Sequence, residues 1–224
     1  MDRRFKKVHI TYKHDENYDS VINSICTGMA ENDIDFSIKM RLGMDSAEDA
    51  KGALEIINKA KLHHITIHPR IAKQQYKGEI DYQTFDYIYQ NCLHPIIYNG
   101  DILSQEDIYN IINIYPKIEG VMIGRGLLAK PYLAMELNKT IRLSVSERLS
   151  MIMKLHDAIY DHYSLVMQGE HQLLLKMKTF WEYLDEEIGK KPYKAIKKSV
   201  NIKKYELAIR LIGSYWIQPL KDSL

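Results

Sequence analysis

The residues best suited to chemistry in this chain stand at the downstream ends of four short apolar runs. They are Lys39, Arg41 and Gly43 in KMRLG, His68 and Arg70 in HPR, Asn99, Gly100 and Asp101 in NGD, and Gly124, Arg125 and Gly126 in GRG. Where strands run parallel, ligands bind beyond their carboxyl ends, so four such clusters at equivalent places point to one shared site. Gly100 and the Gly124 to Gly126 turn let backbone N–H groups approach a phosphate, and Arg125 adds a charged donor. Lys39, His68 and Asn99 can hydrogen-bond a heteroaromatic ring over the strand ends. Flavin mononucleotide (FMN) fits this set, because it joins one phosphate to a ring whose reduced form carries negative charge near N1. Taken singly, each motif is weak: GRG is as readily a turn, a lone histidine is more often core or surface, and Asn99-Gly100 is a common turn. Their order and common strand-end position carry the reading.

The elements that must position these residues follow from hydrophobic patterning. FSIKMRL (Phe36 to Leu42), HHITIH (His63 to His68), HPIIYN (His94 to Asn99) and GVMIG (Gly120 to Gly124) are short, apolar and bounded by turn or charged residues. That is the pattern of strands buried on both faces of a parallel sheet. Between them, helices are predicted over Ser46 to Ala60, with Ala50, Ala53, Leu54 and Ile57 on one face, over Tyr82 to Asn91, and over Ser104 to Ile114, where Ser104 and Asp107 stand at cap spacing. Repeating β-α order predicts right-handed crossovers and a parallel arrangement, either doubly wound or half of a barrel.

After Leu137 the strand signal stops. Ser144 and Glu147 have capping-box spacing and open a helix running toward Gly169; a second helix is predicted from about His171 to Leu184 and a third from about Pro192 to Leu211. The chain thus reads as an α/β part, 1–140, followed by a small all-α bundle, 141–224. Near the start, KKVHITY reads as a strand and Tyr18 to Ala30 as a helix. Phe180, Trp181 and Tyr183 read as core.

Composition narrows the class. Of 224 residues, 46% are hydrophobic and 27% charged, ordinary values for a globular protein, and no apolar run reaches membrane-spanning length. Cys26 and Cys92 form no metal-ligand or CxxC pattern, so no metal is expected. Two thiols and an N-terminus without an apolar signal segment predict a reducing, cytoplasmic setting. The net charge of +2 implies little about partners. Its distribution implies more, because seven lysines and no acid occur between Lys190 and Tyr205.

SIKMRLG, ITIHPR with QQYKGEIDY, PIIYNGDILSQEDI and GVMIGRGLLAKP resemble successive C-terminal strand motifs of the tRNA-dihydrouridine synthases. HDAIYDHY and KMKTFWEYL resemble that family's helical domain, and most of the chain from Phe36 onward is covered. The resemblance implies a TIM (β/α)8 barrel with FMN at its mouth, of which this α/β part is the C-terminal half, and a helical domain that grips tRNA. It implies NADPH-driven reduction of the uridine C5–C6 double bond, with the base flipped out and a cysteine supplying the proton at C5. By motif, Lys39, His68, Asn99, Gly100, Asp101, Gly124 and Arg125 would hold the flavin, with Lys39 and His68 at the ring and Gly124 and Arg125 at the phosphate. Arg70 would lie beside the substrate base. Lys190, Lys191, Lys194, Lys197 and Lys198, with Tyr193 and Tyr205 interleaved, would contact the tRNA backbone.

No catalytic residue is assigned. The family's first four strands and the motif carrying its proton-donating cysteine have no counterpart in this sequence, and Cys26 and Cys92 read as buried small residues. Four parallel strands leave two open edges, so a second chain supplying the other half-barrel is an expected partner. A non-catalytic fragment that binds only tRNA or flavin is the alternative. A different FMN barrel acting on a small molecule leaves the lysine-rich tail unexplained.

Overall fold

The computed structural model describes residues 35–216 continuously, with side chains as far as Gly213, and isolated positions Ser20, Ser24, Thr27 and Gly28 before them. The strand expected in KKVHITY lies outside the described residues, as does Cys26. Of the helix expected over Tyr18 to Ala30, the four described positions are helical and the others lie outside. The backbone forms two compact units, one of residues 35–100 and 108–122, the other of residues 101–107 and 123–216.

The first unit is a four-stranded parallel sheet in the order β1 (Ser37–Arg41), β2 (His64–His68), β3 (Ile96–Tyr98), β4 (Gly120–Val121). Neighbours in space are neighbours in sequence. A doubly wound sheet must reverse its strand order at a switch point, whereas the wall of a barrel advances one strand at a time. The observed order is the barrel type, and the fold is part of a TIM barrel followed by a helical region.

α1 (Asp49–Ile57), α2 (Tyr82–Asn91) and α3 (Gln105–Ile114) are the connecting helices. Ala50, Ala53, Leu54 and Ile57 of α1 are buried, as the periodicity predicts. Ile65, Ile67, Ile96 and Tyr98 of the strands are buried with Phe85 and Ile88 of α2. The Phe85 ring meets Tyr98 and Tyr115 edge to face, at 5.2 and 4.8 Å between centroids, geometry that favours aromatic pairs beyond area burial alone. Asp81 caps α2 by accepting from Thr84 N–H. At α3, Ser104 Oγ accepts from Asp107 N–H while the Asp107 carboxylate accepts from Leu103 N–H.

The strands are shorter than the apolar runs. β4 ends at Val121, because beyond the bond from Met122 N–H to the Tyr98 carbonyl, the Met122 carbonyl is taken by the side-chain amide of Asn99 at 2.7 Å. A side chain there replaces the next rung of the ladder.

The second unit is helical: α4 (Arg125–Ala129), α5 (Leu133–Lys139), α6 (Val145–Val166), α7 (Glu170–Phe180), α8 (Asp185–Ile188), α9 (Lys190–Lys198) and α10 (Ile202–Trp216). The capping box at Ser144 and Glu147 forms in both directions, and the hydrogen bonds from Ser144 hold the Glu147 carboxyl below its usual range. The second bundle helix stops at Phe180. The third expected helix is two helices, α9 and α10, broken where Ser199 takes an extended conformation (φ −61°, ψ 134°). Asn201 then restarts the helix, its side-chain oxygen accepting from Lys204 N–H at 2.9 Å. Lys178 Nζ donates to the Lys197 and Ser199 carbonyls, placing a cation at the negative end of α9. Gly189 joins α8 to α9 at φ +83°, a region that glycine enters without a Cβ penalty.

Trp181, Met177, Ile152, Ile188, Ile196 and Tyr205 are fully buried at the centre of this unit. The expectation for Trp181 holds, whereas Tyr183 is 43% exposed and so is not core. Tyr205 is likewise corrected: it is not a surface aromatic among the lysines but completely buried. Its hydroxyl accepts from Trp181 Nε1–H at 2.8 Å and donates to His156 Nε2 at 2.7 Å, while His156 Nδ1–H donates to Asp157 at 2.8 Å. This tautomer satisfies every polar atom of the chain of bonds.

Burial lowers the pKa of His156 from its ordinary 6.5, partly offset by Asp157 and Asp161. The unfolded chain therefore takes up a proton before the folded one as pH falls. The stability contributed by neutral His156 is complete above about pH 6.5 and is lost as the pH drops below that value. We expect the urea midpoint to fall from pH 7.5 to pH 5.5 and that part of the dependence to flatten in His156→Gln.

Candidate functional site

Register decides which strand residues face the same way. Lys39 is level with Thr66 and Arg41 with His68; Thr66 is level with Ile97, and Ile97 with Gly120. Directly paired residues point to the same side of a sheet, and the side alternates along each strand. Ser37, Lys39 and Arg41 thus share a face with His64, Thr66 and His68, with Ile97 and Asn99, and with Met122. Ile65, Ile67 and Tyr98 occupy the opposite face, toward the buried aromatic cluster.

Within the first unit, the register brings Lys39, His68 and Asn99 to one face near the strand carboxyl ends. Thr66 joins them, unnoticed because an isolated threonine in an apolar run carries no signal of its own. Lys39 is exposed, Asn99 half-buried and His68 buried. Gly100 follows directly, tucked against Ile80 and Tyr98, where a Cβ would meet side-chain atoms at 2.8 and 3.1 Å. Arg70 stands just past β2 and is 3% exposed; its Nε and Nη2 both donate to the Gly78 carbonyl, at 3.1 and 2.8 Å.

Within the second unit, Asp101, Gly124, Arg125 and Gly126 form a separate cluster. Asp101 adopts φ +39°, and its carboxylate meets Arg125 Nη2 at 3.2 Å. An acid in that position orients the guanidinium instead of adding a donor for an anion. The two glycines differ. Nothing lies within 4 Å of a Cβ built on Gly124, so the turn leaves open space there, whereas a Cβ on Gly126 would stand 2.1 Å from the Ile102 carbonyl oxygen. Gly126 is needed for close backbone approach. Gly126→Ala is expected to cost about 1–3 kcal/mol, read as a lower denaturant midpoint, because a backbone atom must move.

The donor set suits FMN. A planar ring needs hydrogen-bonding side chains on one face, and a phosphate needs backbone approach with a cation beside it. Within the first unit Lys39, His68 and Asn99 offer hydrogen-bonding side chains on one face, and within the second the turn at Gly124 leaves open space beside Arg125. Among the described residues no group of three metal-ligating side chains occurs, and no helix is long and apolar enough to cross a membrane.

Cys92 lies before β3, at the amino end of the strand. Its thiol donates to the His94 carbonyl at 3.6 Å, and burial pushes its pKa up. In α9 the buried residues Pro192 and Ile196 are four apart, and Lys190, Lys191, Lys194, Lys197 and Lys198 are all exposed. At 100° per residue the five lysines fall on the face opposite the buried pair. The first turn of α9 contains no acid, so Lys190 and Lys191 sit unfavourably at the positive end of the helix dipole. A bound anion would relieve that cost.

Parallel β/α units in sequential strand order define a barrel-type α/β protein. Residues 16–211 match the family model described as Dihydrouridine synthase (Dus), and the chain belongs to that family. It is 28% identical over 169 residues to a protein of Shewanella oneidensis named tRNA-dihydrouridine synthase B, covering 71% of this chain and 50% of that protein. It is 26% identical over 138 residues to a probable tRNA-dihydrouridine synthase of Rickettsia bellii, covering 58% of this chain and 42% of that one. The chain thus spans about half the length of the curated relatives it matches. Among solved structures, the old yellow enzyme from Trypanosoma cruzi aligns with 55% of this chain and 33% of its own, at 17% identity and a TM-score of 0.41.

Proposed function

We propose that this chain is the FMN- and tRNA-binding portion of a tRNA-dihydrouridine synthase, an oxidoreductase that uses NADPH to reduce the C5–C6 double bond of uridine in tRNA. The observation that carries the reading is the register that turns Lys39, His68 and Asn99 to one sheet face, in a chain of this family. FMN, when bound, supplies hydride transfer. Lys39, His68, Asn99 and Gly100 hold its ring. Gly124 and Arg125 hold its phosphate, with Asp101 orienting the guanidinium; the open space at Gly124 supports this. Arg70, fixed by Gly78, lies beside the substrate base.

Residues 1–140 act as a partial FMN-binding barrel and 141–224 as the helical tRNA-binding domain. Lys190, Lys191, Lys194, Lys197 and Lys198 neutralise tRNA phosphates, a role supported by their grouping on one exposed face of α9. Among the described residues, β1 and β4 each pair with one strand only. Open parallel edges favour a second chain that completes the barrel and supplies the proton donor. The cytoplasm, where tRNA is modified, is the proposed setting.

The position of Cys92 favours a second reading, a non-catalytic fragment that binds tRNA or flavin. It is half-buried, not fully buried as the sequence predicts, and lies at the amino end of β3, whereas a general acid for the site must reach the carboxyl ends. The purified chain mixed with FMN distinguishes the two. A yellow protein bleached by NADPH and forming dihydrouridine in an unmodified tRNA transcript supports the enzyme. Binding without turnover supports the fragment, and a chain that binds neither FMN nor transcript sinks both.

A further inference from the structure

Asp101, Gly124 and Arg125 stand in the same compact unit as α9. Within that unit a set of contacts runs from the turn toward the lysine face. Gly126 packs on the Ile102 carbonyl too closely to admit a Cβ, and Gln105 Nε2 donates to the Glu136 carbonyl of α5 at 2.8 Å. Tyr132, which directly precedes α5, is 2% exposed, and its hydroxyl donates to Glu187 Oε1 at 2.6 Å. Glu187 lies in α8, which Gly189 joins directly to α9. Tyr132 and Glu187 are 55 residues apart, so no local preference brings them together.

Arg148 of α6 completes the cluster. Its guanidinium lies 5.4 Å from the Tyr132 ring centroid, and its Nε stands 3.3 Å from Glu187 Oε2. That Nε is buried and makes no hydrogen bond, so the short bond to the carboxylate is the one from Tyr132. Burying a carboxylate and a guanidinium costs desolvation free energy that their attraction alone seldom recovers. What the cluster supplies is a fixed separation between α4 and α5 on one side and α8 and α9 on the other. Each end of this brace carries a glycine. Gly124 has open space where a Cβ would stand, and Gly189 takes φ +83°. A ligand that orders one end spares a second ligand part of the ordering cost, which makes the two bind cooperatively without a change of shape.

We propose that Tyr132 and Glu187 are positioning residues that couple the flavin phosphate turn to the lysine face of α9, so that tRNA bound on α9 tightens the hold on the phosphate. This rests on the flavin and tRNA reading above.

The full chain would be titrated with FMN, followed by flavin fluorescence, with and without a saturating unmodified tRNA transcript. Riboflavin, which lacks the phosphate, would be titrated in parallel. The transcript is expected to tighten FMN roughly 5- to 20-fold and to leave riboflavin unchanged. A contact between the flavin ring and a base would instead tighten both alike. Tyr132→Phe removes the hydroxyl but keeps the ring beneath Arg148, and should bind FMN equally with and without transcript. Glu187→Gln, whose amide oxygen still accepts from Tyr132, should retain the coupling, a rescue that general destabilisation would not give. Wild-type FMN affinity indifferent to transcript overturns the proposal, as does equal tightening of riboflavin or undiminished coupling in Tyr132→Phe. If Tyr132→Phe fails to fold, the comparison of FMN with riboflavin decides. Failure of the wild type to bind FMN alone or transcript alone removes the reading on which this rests.

Discussion

Trp181→Ala is expected to lower the folding stability of the helical unit by about 3–5 kcal/mol, the largest effect of any single substitution considered. Trp181 is completely buried, and its ring meets Phe180 at 4.8 Å and His156 at 5.3 Å between centroids. Removing it opens a cavity and also takes away the donor that its indole N–H supplies to Tyr205. A hydroxyl left partly unsatisfied in a buried site adds about 1–3 kcal/mol. Trp181→Phe, which keeps much of the ring but not the N–H, should recover most of the packing loss. Urea melts followed by far-UV circular dichroism measure both. A Trp181→Ala midpoint equal to wild type would mean that this network does not support the bundle.

The second large effect concerns α9. Changing Lys194, Lys197 and Lys198 together to Glu reverses the sign of an exposed face, which should weaken binding of a tRNA transcript by roughly 100-fold at moderate salt. The plot of log affinity against log salt should also flatten by about two to three, since three phosphate contacts are lost. Folding should be unaffected, because all three side chains are exposed and point away from Pro192 and Ile196. The reversed charges would also sit toward the carboxyl end of α9, where acids are slightly unfavourable. Thermal melts separate that cost from binding. Unchanged binding together with an unchanged salt slope would remove α9 from the RNA interface.

Much of the fold is legible in the sequence because the relevant forces are local. Caps require one polar side chain and an N–H three residues away, so Ser144 with Glu147 and Ser104 with Asp107 could be read directly and are present. Helix faces repeat with the period of the backbone, so the buried set of α1 was identifiable. The break at Ser199 is hidden for a local reason too: Asn201 caps α10 through Lys204, but seven surrounding lysines favour helix and mask the signal. Strand ends were overrun where a side chain competes with the ladder, as Asn99 does at Met122.

What the amino-acid order determined by itself is the family, the alternation of strand and helix, and the chemical types gathered at the strand ends, because these depend on residue identity and short spacing. What only the tertiary structure decided is partnership across long separations. Tyr205 lies 49 residues from His156 and 24 from Trp181, and only their packing turns an aromatic among lysines into the centre of a core. Asp101 meets Arg125 across 24 residues, and Arg41 reaches Gln75 across 34. The relative register of parallel strands, set by hydrogen bonds between segments about 30 residues apart, placed Lys39, His68 and Asn99 on one face. A slip of one residue would have turned one strand's set away from the others.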